Sequence, residues 1–338
     1  DPAQIDNIEP RGVRSQAPAW SSPSERFRLA TAKEAASISP LATDKWLGKR
    51  STAALPLRIV EEGPTCSIIE AMFVCGPSVI VRNYVFGKKH GSFEIRDRIL
   101  FNHKDQMLKM DIPLGFEPAE SISEAPYSAV RRKPTRRYQD HTNQRWVVAR
   151  GSEGYVAAMS TGCCAHNLTR RHLCLNILRS PAYASMRITP GDVWGDHRFL
   201  PRHDQGEHEV GFQFLFGRRF VEHEISQAAT AFNAAPYYQV FYPDGRSQRA
   251  ATLHNLAGSI VLDCNNVQIT TIKKSEKGNG LILRLQEVDG RATKVGIRVH
   301  GSRRRIRVEI GAYQLKTLRL KRNRGHVSCT EVNLVENF

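Results

Sequence analysis

The fold class is decided by residues 57–112, which read LRIVEEGPTCSIIEAMFVCGPSVIVRNYVFGKKHGSFEIRDRILFNHKDQMLKMDI. Apolar residues in this stretch alternate with polar ones or run together over segments of five to nine residues. Turn-forming residues, such as Gly76-Pro77, separate the segments, and no long helical pattern comes between them. Short segments of this kind, joined by turns, are typical of antiparallel β-structure. The stretch therefore predicts an all-β protein.

The same pattern returns after Ser259, where seven further segments are separated by short turns. The whole chain is therefore predicted to form a large antiparallel β-sandwich, or supersandwich, with a smaller C-terminal β module and one short helix. The predicted parts are a lead-in or linker over residues 1–55, the large sandwich over 56–220, the helix and a connector over 221–258, and the C-terminal module, packed on the sandwich, over 259–338.

Two stretches are predicted to be irregular. Residues 117–145 are polar, basic and contain prolines, so we expect a long excursion between strands. Residues 180–203 form a second irregular stretch that is too long for a simple connection in a compact domain. Because loops of that length often carry function, candidate site residues are expected there.

The charge of the chain suggests anionic partners, but its distribution favours a simpler interpretation. The 49 Lys and Arg residues against 33 Asp and Glu residues give a formal net charge of +16. A charge of this size raises nucleic acids and anionic membranes as partners. The basic runs are short and separated, and neither a zinc-finger or RNA-recognition signature nor interleaved aromatic residues accompany them. We interpret these runs, residues 131–137, 303–307 and 319–324, as solvated strand faces, with nucleic acid as the less favoured partner.

The seven cysteines show no Cys-x-x-Cys spacing and lie mostly in apolar segments. They are interpreted as free thiols rather than as disulfide partners, and a redox pair of Cys163 and Cys164 is the less favoured alternative. Free thiols indicate a reducing compartment, so a cytoplasmic location is predicted. No apolar run approaches the ~18 residues that a membrane-spanning helix needs, so no membrane partner is predicted.

Several short segments occur in a fixed order between Leu57 and the C-terminus. They are residues 59–64 (IVEEGP), 125–127 (APY), 178–181 (LRSP), 204–209 (DQGEHE), 272–287 (IKKSEKGNGLILRLQE) and 332–336 (VNLVE). In this order they resemble glycoside hydrolase family 38. The segment at 204–209 is similar to the family's D-x-G-x-H-x-F signature, and the segment at 332–336 is similar to its closing N-L-x-E.

The resemblance implies the C-terminal β-sandwich region of a retaining α-mannosidase. In that family, the zinc ion and both catalytic carboxylates come mainly from an N-terminal barrel, so this chain is assigned no catalytic residue, no metal ligand and no cofactor. A retaining glycosidase needs two carboxyl groups about 5–5.5 Å apart, and the segments that carry the resemblance supply neither. The chain is therefore expected to be inactive alone. Its expected partners are the catalytic barrel of the same enzyme and mannosides or other carbohydrates, and a homo-oligomer is left open.

The candidate site residues lie in and around the long loop. Asp204 is suited to accept backbone N–H groups at a turn, and Gly206 permits a positive φ beside it. Trp194 is the best candidate for stacking on a sugar face. The residues assigned to a sugar pocket or to anchoring of the loop are Arg179, Trp194, Asp204, Gly206 and His208.

Potential metal ligands are also concentrated in this region. They are His197, His203, Asp204, His208, His223 and Glu224. Zinc needs three or four converging ligands, and the spacing of these residues matches no standard metal motif. We therefore favour structural hydrogen bonds that hold the loop, then contacts to substrate, with a metal site as the least favoured alternative.

Three classes of function follow from the sequence. The favoured one is a non-catalytic portion of an α-mannosidase that stabilises the barrel and forms part of the wall of the mannoside pocket. It predicts an exposed apolar patch where the barrel would dock. The alternatives are a stand-alone carbohydrate-binding or assembly protein, which would bind a mannose-type ligand by itself, and a basic nucleic-acid-binding protein, whose affinity would fall steeply with salt.

Overall fold

A computed structural model of the protein describes residues 6–10, 25–38, 55–88, 92–104, 106–135, 139–181, 202–234, 260–276, 278–302, 304–323 and 326–337. Antiparallel strands dominate these residues, which confirms the all-β prediction. The described residues contain two helices where one was predicted, and neither could span a membrane. The chain divides into two compact units, one of residues 1–124 and 130–220 and one of residues 125–129 and 221–338.

The first unit contains one helix, α1 (Ala32–Ile38), and two large sheets. The strands in chain order are β1 (Asp6–Pro10), β2 (Glu25–Arg26), β3 (Arg28–Leu29), β4 (Leu57–Glu62), β5 (Cys66–Cys75), β6 (Ser78–Gly87), β7 (Ser92–Phe101), β8 (Gln106–Pro113), β9 (Pro118–Ala125), β10 (Ser128–Arg132), β11 (His141–Thr142), β12 (Trp146–Gly151), β13 (Tyr155–Ser160), β14 (Ala165–Leu168), β15 (His172–Arg179) and β16 (Gly206–Gly217).

The two sheets of the first unit enclose one core. The ten-stranded sheet has the order β10-β9-β12-β13-β16-β7-β6-β5-β3, with β4 also paired to β5. The six-stranded sheet has the order β11-β14-β15-β8-β1-β2. The core combines buried side chains of the ten-stranded sheet, such as Phe73 and Phe212, with those of the six-stranded sheet, such as Leu108 and Leu173. This arrangement is a β-sandwich, because each sheet buries the alternate residues of its strands.

Residues 1–55, interpreted from the sequence as a lead-in, contain strands that join both sheets. β1 pairs with β8, and β3 pairs with β5. Helix α1 begins with a capping box, in which Glu34 N–H donates to Thr31 Oγ1 at 3.3 Å and Thr31 N–H donates to Glu34 Oε2 at 2.8 Å. The guanidinium of Arg28 lies against the Glu34 carboxyl and lowers its pKa to about 2.

The prediction of an irregular excursion over residues 117–145 is wrong, because β9, β10 and β11 lie within it. The sequence of β9, PAESISEA, is polar, yet Ser121, Ser123 and Glu124 are buried. Arg132 Nη1 donates to Ser123 Oγ at 3.2 Å, and Arg145 N–H donates to Glu124 Oε2 at 2.9 Å. Buried polar groups are tolerated when they are hydrogen-bonded, so a polar sequence can still form an inner strand.

A fully buried ion pair lies inside the first unit. Arg82 on β6 stands opposite Asp97 on β7, and both side chains are 0% exposed. Arg82 Nε and Nη2 donate to the two carboxylate oxygens at 2.7 and 2.6 Å. The guanidinium also lies 5.8 Å from the ring centre of Phe73. The bidentate geometry compensates the desolvation of both charges and aligns β6 with β7.

The second unit is a smaller sandwich with one helix, α2 (Glu222–Asn233), where the helix is predicted. Its strands are β17 (Ile260–Leu262), β18 (Val267–Lys274), β19 (Leu281–Glu287), β20 (Thr293–Val299), β21 (Ile306–Ile310), β22 (Leu315–Asn323) and β23 (His326–Val332). They form a three-stranded sheet, β17-β20-β21, and a four-stranded sheet, β18-β19-β22-β23. The shared core contains Val295 and Ile297 of the first sheet and Leu283 and Leu318 of the second.

We expect Asp97→Ala to lower the free energy of unfolding of the first unit by about 3–5 kcal/mol, because Arg82 would remain buried and uncompensated. The double variant Arg82→Met, Asp97→Leu should recover most of this loss, since it removes both charges together. The surface pair Arg96–Glu94 provides the control, and Arg96→Ala should cost at most about 1 kcal/mol. Urea unfolding followed by circular dichroism measures all three, and equal losses for Asp97→Ala and the double variant would contradict the argument.

Acid should destabilise the first unit through His166. This side chain is 0% exposed, and burial, followed by the charges of His141 and Arg132, lowers its pKa to about 4. The unfolded chain therefore binds the proton first, and the stabilising effect of the neutral ring is complete above about pH 6.5 and is lost as the pH falls to about 4. Urea unfolding at several pH values should show a loss of about 3 kcal/mol across this window.

The control for this pH dependence is a second histidine. His166→Gln should flatten the dependence between about pH 6.5 and pH 4, because Gln does not titrate. His172→Gln should leave it in place, since the His172 side chain is 44% exposed. An unchanged slope in the His166 variant would show that other groups cause the loss.

Candidate functional site

The candidate site is a turn that leads into β16. Asp204 has φ 49° and Gly206 has φ 114°, so two residues in three adopt the left-handed region. Aspartate tolerates this region better than most residues because its short side chain can hydrogen-bond locally, and glycine has no Cβ to clash. The Asp-x-Gly spacing of the sequence therefore permits positive φ angles at both positions of this turn.

Hydrogen bonds connect this turn to the end of β15. Asp204 Oδ2 accepts the backbone N–H of Arg179 at 3.0 Å. His208 Nε2 lies 3.0 Å from the backbone carbonyl oxygen of Asp204, and because a carbonyl can only accept, Nε2 carries the proton. His203 N–H donates to the carbonyl of Pro181 at 3.1 Å. These contacts close the two ends of the loop between β15 and β16 against each other.

The structure thus brings together Arg179, Asp204, Gly206 and His208, which are four of the five predicted site residues. Trp194 lies outside the described residues, as does His197. Asp204 is exposed and His208 is half-buried, so both remain accessible from solvent. Their polar atoms contact backbone groups of this loop, which is the geometry of an anchor.

Of the metal-ligand set noted in the sequence, His203, Asp204 and His208 belong to the first unit and Glu224 belongs to the second. His223 belongs to α2 in the second unit, where its Nδ1 lies 2.9 Å from Asp289 Oδ2. Across the described ranges, no group of three or more His, Cys, Asp or Glu side chains has the arrangement of a metal site.

A Ser–His pair that is not predicted from the sequence lies beside the turn. Ser78 Oγ lies 2.6 Å from His103 Nδ1 and accepts the N–H of Asn102 at 2.9 Å. Gln205 Nε2 in turn donates to the carbonyl oxygens of Asn102 and His103 at 3.3 and 3.2 Å. Because Ser78 is 0% exposed, its hydroxyl cannot reach a substrate, and the pair supports the turn. No local sequence signal reveals the pair, since its members are separated by 25 positions.

In the second unit, a segment of the family resemblance ends in a buried carboxylate, Glu287, which is 0% exposed. Its two oxygens accept hydrogen bonds from Asn266 Nδ2 and from the backbone N–H groups of Asp289, Gly290, Arg291 and Tyr313, at 2.8 to 3.1 Å. Such a set of donors balances the cost of burying the charge. Gly290 has φ 72°, and a Cβ there would lie 2.7 Å from the ring of Tyr313.

The turn that Glu287 holds presents Asp289 to helix α2. Val221, at the N-cap, provides no side-chain hydrogen bond, but Asp289 Oδ1 accepts the N–H of His223 at 2.8 Å. A carboxylate at a helix N-terminus satisfies a free N–H group and interacts favourably with the helix dipole. Tyr313 Oη also donates to Glu222 Oε1 at 2.7 Å. These contacts position α2 within the second unit.

The start of the same segment meets the last segment of the resemblance at Glu336. This side chain is 2% exposed, and its oxygens contact Lys273 Nζ at 2.7 Å and the N–H of Glu276 at 2.8 Å. The hydrogen bond from Lys273, followed by that from Glu276, lowers the pKa of Glu336. Asn333 Oδ1 accepts the N–H groups of Val335 and Asn337, which folds the tail back. The segments at 272–276 and 332–336 are therefore held together by these contacts.

Asp204 provides a test of the anchor, because Asn retains both an acceptor oxygen and tolerance of positive φ, whereas Gly retains only the latter. Asp204→Gly should accelerate hydrogen exchange of the Arg179 amide about fivefold, corresponding to the ~1 kcal/mol of one hydrogen bond. Asp204→Asn should change it much less. Hydrogen–deuterium exchange with fragment mass analysis measures the effect, and wild-type protection in the Gly variant would exclude the anchor.

Comparisons with known proteins show a family match and a shared fold. Residues 266–338 match the family described as Glycosyl hydrolases family 38 C-terminal beta sandwich domain. No curated protein matches the chain in sequence. An alpha-mannosidase from Enterococcus faecalis V583 is 12% identical with a TM-score of 0.60, and the match covers 78% of this chain and 34% of that one. A glycosyl hydrolase family 38 protein from Enterococcus faecalis is 10% identical with a TM-score of 0.62, and the match covers 93% of this chain and 40% of that one.

The chain thus spans between 34% and 40% of the length of these two structures. At 10–12% identity, the likeness shows a shared fold. Residues 266–338 thus match the glycosyl hydrolase family 38 C-terminal beta sandwich domain, within a chain whose fold is similar to that of the two family 38 structures.

Proposed function

We propose that this chain is the C-terminal, non-catalytic portion of a retaining α-mannosidase of the family 38 type. In this proposal its sheets stabilise a separate catalytic domain, which supplies the catalytic carboxylates and binds zinc. The family match and the shared fold support the assignment. No disulfide joins any of the seven cysteines, which supports a reducing, cytoplasmic location.

The observation that carries the proposal is an apolar surface at one end of the ten-stranded sheet. Phe86 on β6 pairs with Phe93 on β7, and Phe93 stacks on Phe214 of β16 at 5.0 Å between ring centres. By strand alternation, these residues and Phe216 of β16 lie on the face of the sheet that packs into the core. Phe86 is nevertheless 44% exposed and Phe216 is 56% exposed. We name Ile59, Phe86, Phe93 and Phe216 the apolar end.

Strand β4 extends the apolar end at the edge of the same sheet. All six of its residues are exposed, including Leu57 at 50% and Ile59 at 66%. Ile59 pairs with Ile69 of β5, which pairs with Tyr84 of β6, so the apolar row is continuous across these strands. An exposed apolar edge strand is an aggregation hazard unless another surface covers it. We infer that the catalytic domain supplies this cover.

The anchored loop and the apolar end lie at opposite ends of β16. Ten residues separate Gly206 from Phe216, which corresponds to about 34 Å along an extended strand. A mannoside contact from the loop of Arg179, Asp204 and His208 would therefore require a catalytic domain that extends along the whole strand. We propose anchoring as the primary role of these residues, and a wall of the sugar pocket as their further role.

The test is to express this chain together with the coding sequence that precedes it and to assay hydrolysis of a nitrophenyl α-mannoside. We expect activity in the joint protein, none in this chain alone, and co-purification when the two parts are produced separately. Phe216→Ser should weaken that association tenfold to a hundredfold, because each buried aromatic side chain contributes about 1.5–3 kcal/mol.

Leu100→Ser is the matched control, because Leu100 is 45% exposed and alternates to the other face of the same sheet. It should leave the association unchanged. A joint protein without α-mannosidase activity would contradict the proposed function, whereas activity with equal effects of both variants would contradict only the docking surface. Mannose-type ligand binding by the isolated chain would instead favour a stand-alone carbohydrate-binding protein.

A further inference from the structure

The basic charge of the protein is concentrated in its last 79 residues. Residues 260–338 contain 16 Lys and Arg against 7 Asp and Glu, a net charge of +9 out of the +16 of the chain. A strand face that is merely solvated needs no such excess, and a mixture of both signs serves solubility as well. The arrangement of these charges within the second unit therefore needs a separate explanation.

The acidic side chains of this region are largely neutralised. Glu287 and Glu336 are buried in the contacts described above. The exposed acids are held by basic neighbours, in the pairs Lys273–Glu276, Lys294–Glu309, Lys316–Glu331 and Arg305–Asp263. In the described part of the second unit, the exposed basic residues without an ion pair are Lys274, Arg298, Arg304, Arg307, Lys321 and Arg322.

Two of the basic runs seen in the sequence converge at one end of the module. The turn between β20 and β21 contains Gly301, whose φ is 74°, and a Cβ at this position would collide with the guanidinium of Arg322 from β22. Arg322 therefore spans from the four-stranded sheet to the turn of the three-stranded sheet. Two exposed basic residues lie close to this contact in sequence: Arg304, which follows Gly301, and Lys321, which precedes Arg322.

The outer face of the three-stranded sheet continues this positive surface. Arg307 pairs with Gly296, and Arg298 lies two residues further along β20 on the same face. Such diagonal neighbours are about 7–8 Å apart in backbone position, and both side chains are exposed. We name Arg298, Arg304, Arg307, Lys321 and Arg322 the basic end.

We propose that the basic end binds an anionic glycan through its sulfate or phosphate esters. Arginine side chains present planar N–H groups that bind tetrahedral oxyanions in pairs, and several of them within reach of one another fit charges repeated along a flexible chain. This inference is independent of the mannosidase assignment, because it rests on the charges of the second unit alone.

The surface is less suited to the two other polyanions. Binding of single-stranded nucleic acid relies on aromatic side chains that stack on bases, and no Phe, Tyr or Trp stands among the described residues of the two turns, 300–305 and 321–326. Peripheral membrane binding relies on apolar side chains inserted beside the basic ones, and these described turn residues include none that is apolar and exposed.

The experiment measures binding of the full chain to four probes: a sulfated heparin-derived oligosaccharide, a phosphorylated mannan fragment, a single-stranded RNA, and vesicles containing phosphatidylserine. We expect either or both glycans to bind more tightly than RNA or vesicles. Their affinity should fall at least about tenfold between about 50 mM and about 200 mM salt, since bound counterions are released. The ratio of the two glycan affinities shows which ester the site prefers.

A matched pair of variants separates the basic end from net charge. The double variant Arg304→Glu, Lys321→Glu should lose at least about tenfold in glycan affinity. The control Lys33→Glu, Arg170→Glu makes the same change in net charge at exposed positions of the first unit and should bind as the wild type does. Equal losses in both variants, absence of glycan binding, or tighter binding of RNA or vesicles would each overturn the proposal.

Discussion

Each strand of this protein has to bury one face, and the rest of the structure depends on that constraint. Alternate side chains of the ten-stranded sheet, such as Phe73 and Ile99, meet those of the six-stranded sheet, such as Leu108, in one core. The alternation continues along β6 and β16 to Phe86 and Phe216, which remain exposed. The apolar rows therefore extend beyond the part of the sheet that the described chain covers. Their exposed ends are the surface on which we propose that the catalytic partner packs.

Buried carboxylates define much of the local geometry between these apolar rows. Asp97 receives both donors from one arginine, whereas Glu287 receives a set of backbone N–H groups around a turn. Glu336 combines an ion pair with a backbone donor and holds the C-terminal tail. A buried charge is stable only when its hydrogen-bonding capacity is filled, so each of these groups accepts few alternative arrangements of its neighbours. They give the sheets a defined register where apolar packing alone would permit several.

The segments that resemble family 38 gain a physical meaning from these contacts. The residues at 272–276 and at 332–336 are more than 50 positions apart, yet Lys273 and Glu336 are in direct contact. The Asp-x-Gly segment at 204–206 closes a loop against Arg179. Each of these segments supports backbone that would otherwise be free to move. These segments therefore contribute contacts that hold the fold together.

The sequence by itself determined the strands with strong alternation, the position of α2, the Asp204–Gly206 turn and the ordered family segments, because these depend on neighbours within a few residues. It did not reveal β9, whose buried Ser123 and Glu124 accept hydrogen bonds from Arg132 and Arg145, or the incorporation of β1 and β3 into the sheets. The Ser78–His103 pair and the approach of Arg322 to Gly301 were decided only by the tertiary structure. The physical reason is that register and cross-strand pairing bring together residues that are distant in sequence, and local periodicity carries no information about which strand lies beside which.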